Sequence, residues 1–284
     1  MRVRVLGSAA GGGFPQWNCH CATCEAARAG VRAHPRTQSS LAIRGDDGPW
    51  FLVNASPDLR QQLETLTPRR VDSVRAPPIA AVLLTDAEID HTAGLLLLRE
   101  STSPVQVYGD AEIERALRET VVRMLARFCG VEWHTLEAGR PQPLEGSSLV
   151  VEPFQVGGER STGFGFRDRL TDGVVTYAPA LTRLDDGVLA RFSESDLVLV
   201  DGTFWRDDEL PRLGISARRA RDMGHVPLSG ADGTLEALAA LERPRKALVH
   251  INNTNPILIE DSPEREEVLR AGVEVAYDGL EVDL

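Results

Sequence analysis

The segment at residues 83–96, LLTDAEIDHTAGLL, is the most informative stretch of the chain. It begins inside an apolar run, IAAVLL (79–84), whose length and composition predict a strand that is buried on both faces. If the loop after this strand is extended, its alternate acidic side chains point to one side, and a histidine follows where a helix begins. The loop therefore carries four candidate metal ligands: Asp86, Glu88, Asp90 and His91.

Three carboxylates so close together repel one another unless a cation neutralises them, so the loop predicts a metal site. From the loop alone, one alternative stays open. The same residues could form a solvated acidic turn in which Asp90 is the N-cap of a helix that starts near His91.

Three polar residues far along the chain favour the metal. Apolar strands lead into Asp201 and His250, and His225 lies on the glycine-flanked loop MGHVPLSG. In α/β sheets the strand ends carry ligand-binding and metal-binding groups. We therefore expect His91 and His250 to be ligands. A set of carboxylates with one or two imidazoles suits Fe²⁺ or Mn²⁺ better than a typical catalytic zinc site.

The bulk composition limits the function. The chain has 284 residues, 42% of them hydrophobic, and a formal net charge of -11. Nucleic acid and anionic membrane surfaces would repel it, so a small or peptide-derived substrate is expected. No apolar run approaches the length of a membrane span, and the N-terminus has no signal-peptide core, so we expect a cytoplasmic protein.

Strand and helix patterns predict a single α/β domain over residues 1–284. The predicted strands fall into two groups, at 2–6, 40–44, 50–54 and 79–84, and then at 148–156, 173–178, 196–202, 246–252 and 273–279. The predicted helices lie at 57–66, 110–128, 233–242 and 262–271. Two groups of strands with helices among them suggest two sheets packed between helical layers.

Three cysteines are crowded into CHCATC (19–24) as C-x-C-x-x-C. Thiolates at this spacing can converge on one tetrahedral Zn²⁺, which would tie this N-terminal loop to the core. The cluster consists of Cys19, Cys21 and Cys24. A fourth ligand is missing locally, and HINNTN (250–255) is the segment that could supply it. A redox thiol pair and buried free cysteines remain as alternatives.

The glycine-rich segment GSAAGGGF (7–14) follows the first strand, as a dinucleotide-binding loop would. Phe14 and Pro15 interrupt the helix that such a loop requires, and no acidic residue stands at the expected distance. We therefore expect the glycines to let the backbone pass close to the metal loop or to a ligand.

Taken together, these stretches resemble the metallo-β-lactamase superfamily and, within it, a family that takes part in making pyrroloquinoline quinone (PQQ). The resemblance runs from residue 3 to the C-terminus and includes VLGSAAGGGFPQWNCHCATC, NASPDLRQQL, VDGTFW and HINNTNPIL. It implies an αββα sandwich of two mixed sheets, with the metal site at the edge of both sheets.

The resemblance also assigns roles to individual residues. The superfamily motif HxHxDH falls on residues 86–91, so two zinc-binding histidines are replaced by Asp86 and Glu88, while the final metal histidine is His250. The superfamily's middle histidine and its bridging aspartate, expected near 154–160 and 176–181, are absent. A standard dizinc hydrolase is therefore not predicted.

Related phosphodiesterases complete the cysteine site with a histidine where this chain has Asn253, so Asn253 is the predicted fourth zinc ligand, with Asn255 or a water as alternatives. The same relatives place a histidine matching His225 close to the substrate. His225 is therefore the predicted acid or base, and Glu88, Asp86 or Asp201 is predicted to complete or support the shell of the active-site metal.

For the family, the implied activity is an iron-dependent hydroxylation, with O₂, of the tyrosine ring in a cross-linked Glu-Tyr precursor of PQQ. The implied cofactors are a structural Zn²⁺ and an active-site Fe²⁺, with Mn²⁺ or Zn²⁺ as alternatives at the second site. Two other functions stay open: an accessory carrier that binds PQQ or its precursor for transport to the periplasm, and a one-metal hydrolase. A homodimer is also left open.

Overall fold

Two sheets form the centre of the protein, and the first contains both ends of the chain. The computed structural model describes residues 1–46, 48–66, 74–156 and 161–284. The strands of the first sheet are β1 (Arg2–Gly7), β2 (Ser40–Arg44), β3 (Trp50–Val53), β4 (Ile79–Leu83), β5 (Val105–Gly109), β6 (Val131–Thr135) and β14 (Glu281–Asp283). Their order is β14-β1-β2-β3-β4-β5-β6, antiparallel as far as β3 and parallel from β3 onward.

The second sheet repeats this arrangement. Its strands are β7 (Gln142–Pro143), β8 (Leu149–Gln155), β9 (Thr162–Asp168), β10 (Val174–Ala178), β11 (Leu197–Asp201), β12 (Arg245–Val249) and β13 (Glu274–Val275). Their order follows the chain in reverse, and pairing is antiparallel from β7 to β10 and parallel from β10 to β13. Both sheets are therefore mixed, as predicted.

Alternation along the strands explains why the sheets stack. In β11, Leu197 and Leu199 belong to the core between the two sheets, whereas Val198 and Val200 point to the opposite side. All of these side chains are fully buried, because both faces of the strand are covered. β4 behaves in the same way, so the prediction of a strand buried on both faces is confirmed.

Helices cover the two outer faces and complete an αββα sandwich. They are α1 (Ala22–Ala29), α2 (Leu59–Leu63), α3 (Ile89–Thr92), α4 (Ala111–Arg118), α5 (Val121–Leu125), α6 (Asp186–Glu194), α7 (Glu209–Arg212), α8 (Thr234–Ala239) and α9 (Pro263–Arg270). Apolar residues of α2, α4 and α5 pack on the first sheet, and those of α6, α8 and α9 pack on the second. Within the described residues, no helix combines the length and the apolar character needed to cross a membrane.

The prediction of one continuous helix over 110–128 is wrong. The chain leaves the helical conformation at Thr120, where φ is -118° and ψ is -102°. The Thr120 hydroxyl donates to the carbonyl oxygens of Ala116 and Leu117, and two β-branched valines follow it. Side-chain bonding to the preceding turn and restricted β-branched rotamers both weaken a helix, which explains the break into α4 and α5.

Several strands escaped the sequence predictions. No predicted counterpart exists for β5, β6, β7, β9 or β14, and β13 covers only two residues of the predicted strand at 273–279. β6 and β14 are edge strands with partly exposed residues, so they lack the long apolar runs by which the other strands were found.

Candidate metal centre

The ends of three parallel strands bring the candidate ligands to one edge of the sandwich. Asp86 follows β4 in the first sheet, Asp201 ends β11, and His250 follows β12 in the second sheet. The two sheets are joined at this edge, because the backbone N–H of Thr162 donates to the carbonyl oxygen of Thr85 over 2.8 Å. Residues that are distant in sequence therefore meet between the sheets.

Asp90, His91 and His250 form the centre of the cluster, with one potential ligand atom from each lying within 4.8 Å of the others. Asp90 Oδ2 lies 3.3 Å from His250 Nε2 and 3.8 Å from His91 Nε2. His91 Nε2 is buried and has no hydrogen-bond partner among the described residues. A buried nitrogen without a partner is costly, so this donor set fits a bound metal ion.

Asp86 lies on the opposite side of His91 from the centre of the cluster. Its two carboxylate oxygens are 2.8 and 2.7 Å from His91 Nδ1, and one of them also accepts the backbone N–H of Glu88. The carboxylate therefore orients the imidazole so that Nε2 remains for the metal, an arrangement found behind most metal-binding histidines. The structure thus places Asp86 behind a ligand.

Glu88 and Asp90 occupy different places on α3. Glu88 is exposed at the N-cap position and lies outside the groups of side chains that the described residues bring together for a metal. Asp90 is in the first turn of the helix, and no side chain caps that turn. The alternative in which Asp90 is merely an N-cap is therefore wrong. Gly11 lies against the Asp90 carboxylate, since a Cβ on Gly11 would stand 3.0 Å from Oδ2. The expectation that these glycines allow a close approach to this loop is therefore confirmed for Gly11.

A second carboxylate–histidine pair lies on the other side of the cluster. Asp201 Oδ2 is 2.7 Å from His225 Nδ1 and also accepts the backbone N–H of Leu181. The His225 ring stacks on His250, with centroids 5.3 Å apart. Asp201 is fully buried, so it positions His225 rather than contacting the cavity directly.

Thr203 connects the two histidines of the second sheet. Its Oγ1 lies 2.6 Å from Asp201 Oδ1, 3.1 Å from His225 Nδ1 and 2.8 Å from His250 Nδ1. A single hydroxyl proton serves these contacts, and the carboxylate can only accept. The sequence analysis did not identify Thr203, although a threonine two residues after a strand-end aspartate is a recognisable signal for such a turn.

Charge interactions in the cluster outweigh burial. Burial alone would raise the pKa of Asp90, but the hydrogen bond from His250 and the charge of His91 hold that pKa well below its usual range. Burial alone would lower the pKa of His91, but Asp86 raises it to about 9. Asp201 likewise raises the pKa of His225 against the effect of burial. A cation that binds His91 Nε2 must displace a proton, so metal binding would release protons here.

A cavity of about 750 Å³ opens over this cluster. Asp90, His91, His225 and His250 line it from below, and the segment around residues 218–224 forms part of its wall. The buried hydroxyl of Ser161 also lines it and has no partner among the described residues. Residues 157–160 of the segment in which the superfamily's middle histidine was expected lie outside the described residues. The cavity is large enough for a ring-containing small molecule.

The three clustered cysteines form the second candidate metal site. Their sulfur atoms lie within 4.8 Å of one another, and all are free thiols. The cluster comprises Cys19, Cys21 and Cys24. Burial raises the pKa of the Cys24 thiol to about 12, so this sulfur would become a thiolate only when a cation binds it. The three sulfurs fit one tetrahedral zinc ion with a fourth position open.

Asn253 is placed to fill that position. Its amide nitrogen is 3.2 Å from Cys24 Sγ, and rotating the amide group would turn its oxygen toward the sulfurs. Its backbone oxygen accepts the hydroxyl of Thr23 over 2.5 Å. Asn255 instead donates to the carbonyl oxygen of Gly202 and accepts a backbone N–H with its Oδ1, so its side chain is already in use.

Comparisons with known proteins agree with the fold and identify the family. The model of the beta-lactamase superfamily domain matches residues 49–251. The chain is 48% identical to the coenzyme PQQ synthesis protein B of Cupriavidus necator, with 99% of each chain covered. It is 44% identical to the protein of the same name from Methylococcus capsulatus, with 100% of each chain covered. The crystal structure of Zn²⁺-bound PqqB from Methylobacterium extorquens is 40% identical, covers 100% of both chains and has a TM-score of 0.89. The chain therefore belongs to the coenzyme PQQ synthesis protein B family of the metallo-β-lactamase superfamily.

Proposed function

We propose that the protein acts in PQQ biosynthesis as a metal-dependent hydroxylase of the tyrosine ring in a cross-linked Glu-Tyr precursor. The name of its relatives, coenzyme PQQ synthesis protein B, supports the pathway. The observation that carries the chemistry is the buried His91 Nε2, which has no hydrogen-bond partner in the described part of the chain and lies beside Asp90 and His250. Two histidines and one carboxylate with open positions form the ligand set of non-heme iron oxygenases.

Each protein residue has a distinct role in this proposal. Asp90, His91 and His250 hold the metal ion, which is Fe²⁺, with Mn²⁺ or Zn²⁺ as the alternatives. Asp86 orients His91 through Nδ1 and thereby keeps Nε2 directed at the metal. Glu88 is exposed at the cavity rim, so its side chain has room to approach the metal ion as an additional ligand. When bound, iron supplies the activation of O₂.

His225 lines the cavity and is the proton-transfer group, because Asp201 raises its pKa while keeping the ring oriented through Nδ1. In the net reaction one oxygen atom converts a ring C–H into C–OH. The other leaves as water with two protons and two electrons. The reaction therefore consumes a two-electron reductant, such as ascorbate, along with O₂.

The cysteine cluster has a structural role in this proposal. Cys19, Cys21 and Cys24 would bind Zn²⁺ together with Asn253, far enough from the cavity that none of the four lines it. The Zn²⁺ in the relative from Methylobacterium extorquens supports a zinc site in this family. A structural site of this kind is closed, whereas the histidine site keeps positions open for substrate.

The test is metal-dependent oxygen consumption. Protein loaded anaerobically with Fe²⁺ is mixed with ascorbate and a tyrosine-containing precursor, and both O₂ uptake and ring hydroxylation are followed. We expect hydroxylated product in step with O₂, and we expect His91→Ala to abolish it. His34→Ala is the matched control, because His34 is exposed and pairs with Glu260.

Other outcomes would select other functions. Hydrolysis by Zn²⁺-loaded protein without O₂ uptake would replace the proposal with a one-metal hydrolase. Tight binding of PQQ without turnover under any metal would favour an accessory carrier. Normal turnover by metal-free protein or by His91→Ala would overturn the assignment of the metal cluster as the reaction centre.

A further inference from the structure

The wall of the metal cavity carries two arginines that form no ion pair with any of the described residues. Arg218 and Arg221 both line the cavity, next to the histidine that we propose as the proton-transfer group. The short 3₁₀ turn at Arg221–Met223 ends at Gly224, which has a φ of 84°, and His225 follows directly. The two guanidinium groups and His225 are therefore held by one loop.

The contacts of these arginines differ from those of their neighbours. Arg218 donates to the carbonyl oxygen of Asp222 over 3.0 Å, and Arg221 donates to that of Asp232 over 3.2 Å. Among the described residues, neither has a carboxylate within ion-pair distance. By contrast, Arg219 in the same loop pairs with Asp207 at 3.3 Å. The loop thus holds both paired and unpaired arginines, and the unpaired ones face the cavity.

The acidic groups of the cavity do not neutralise these charges. Asp86 and Asp90 contact histidines on the cavity floor, at 2.7 and 3.3 Å. The rim contains Glu88, which is exposed, and Asp222, whose carboxylate accepts the backbone N–H of Arg219. A divalent cation at the floor, together with Arg218 and Arg221, would balance the four carboxylates that line the cavity, so the arginine wall is the part of the cavity that would attract an anion.

We infer that Arg218 and Arg221 form a carboxylate-binding subsite, which holds an aromatic polycarboxylate with its ring directed toward the metal cluster. A guanidinium group binds a carboxylate through two parallel hydrogen bonds, so it fixes orientation as well as charge. The substrate class rests on the proposed function, because a unit cut from a peptide at Glu and Tyr carries several carboxylates. The available positive charge does not depend on that function.

The test uses PQQ, an aromatic tricarboxylate, and its uncharged trimethyl ester as probes. Their dissociation constants are measured by fluorescence titration for wild type, Arg218→Gln, Arg221→Gln and the control Arg219→Gln, with the metal content of each protein determined. We expect each cavity variant to bind PQQ about tenfold more weakly, the size of one charge-assisted contact. Arg219→Gln should bind like wild type, and the ester should bind weakly to all four proteins. Added salt should weaken PQQ binding to the wild type more than to either cavity variant.

Unchanged PQQ binding by Arg218→Gln and Arg221→Gln would overturn the subsite, as would an equal loss in Arg219→Gln. Oxygen uptake by the same proteins separates this inference from the proposed function. A wild type that binds PQQ through the two arginines but never consumes O₂ would retain the subsite and lose the hydroxylase. If the wild type consumes O₂ but PQQ binding does not depend on the two arginines, the hydroxylase would be retained and the subsite lost.

Discussion

At the scale of single residues, each of the three histidines in the site has its Nδ1 atom hydrogen-bonded to a neighbouring side chain, and this bond orients the ring. Asp86 holds His91, Asp201 holds His225, and Thr203 holds His250. Asp201 Oδ1 and the His250 carbonyl oxygen, at 2.6 and 2.8 Å from Thr203 Oγ1, can only accept, so the Thr203 proton goes to one of them and Thr203 Oγ1 is left to accept from His250 Nδ1–H. His250 is thereby held with Nε2 directed at Asp90, where a bound cation would replace the hydrogen bond between the two side chains.

The first prediction concerns Thr203. Thr203→Val keeps the shape of the side chain but removes the acceptor for His250 Nδ1–H, so metal affinity at the histidine site should fall about 10- to 100-fold. Thr203→Ser should restore affinity to within a few fold. A Co²⁺ titration measures this, because the cysteine site is recognised separately by its sulfur-to-cobalt charge-transfer band. Equal affinity in Thr203→Val and wild type would show that Thr203 does not position His250.

The sequence predicted the side chains that carry chemistry better than the contacts among them. Aspartates and histidines at strand ends were identifiable as site residues because few other functions place them there. Asp86 could not be told from a direct ligand, because the direction of its side chain depends on a turn in which it accepts the Glu88 N–H. Thr203 and Ser161 are ordinary polar residues in sequence and become informative only when their buried contacts are known.

At the scale of elements, the glycine in DHTAG determines how the chain continues after the proposed metal ligands of α3. Gly94 donates to the carbonyl oxygen of Ala55, and Ala55 donates to that of His91, so the backbones cross closely. A Cβ at position 94 would lie 2.1 Å from the Ser56 carbonyl oxygen. The segment after Thr92 winds as a 3₁₀ helix over Ala93–Glu100, and this contact anchors its start.

The second prediction follows from this crossing. Gly94→Ala forces two backbone segments apart, and we expect it to lower the free energy of unfolding by about 3 kcal/mol, within the range for steric overpacking. Gly165→Ala in β9 is the control, since a Cβ there would meet only the Glu152 carbonyl oxygen, at 3.7 Å. Urea denaturation of the two variants and wild type measures the difference. Equal losses in both would mean that the close approach at position 94 is not the cause.

Element boundaries show where sequence patterns stop being sufficient. β4 and β11 were predictable because unbroken apolar runs have few alternatives to a doubly covered strand. The helix predicted over 110–128 failed because its periodicity continues through Thr120 although the backbone does not. Periodicity reports which face is apolar, whereas a break of this kind depends on local hydrogen bonds that it does not record.

At the scale of the whole molecule, the two sheets are equivalent in construction. Each has three antiparallel pairings followed by three parallel ones, and β4 and β11 occupy corresponding places. Asp86, three residues after β4, and Asp201, the last residue of β11, therefore lie near corresponding strand ends, and each contacts Nδ1 of a histidine further along the chain. The site resembles two related halves facing each other across the sandwich, although the halves share no evident sequence identity, so only the structure reveals the duplication.

The cysteine cluster connects the N-terminal loop to the segment that leaves β12. Cys21 and Cys24 face Asn253, and the backbones on either side are paired, since Ala10 donates to Ile251 and Ile251 to Ser8. A zinc ion bound there would close a chain loop of more than two hundred residues, only three positions from His250. Cross-links over long loops act chiefly by restricting the unfolded chain.

The third prediction concerns that zinc ion. Cys21→Ser removes one of three sulfur ligands, so bound zinc should fall by about one equivalent per chain, the content of a structural site. The free energy of unfolding should fall by roughly 3 to 5 kcal/mol, the range for cross-links that close long loops. Metal analysis and thermal unfolding measure the two effects, with Cys129→Ser as the control, because Cys129 lies apart from the cluster against the Leu98 carbonyl oxygen.

Because His250 adopts a positive φ of 54° and adjoins the tied segment, loss of zinc should also weaken Co²⁺ binding at the histidine site. Full zinc retention by Cys21→Ser would contradict the placement of this site, whereas zinc loss with unchanged Co²⁺ affinity would show that the two metal sites are independent.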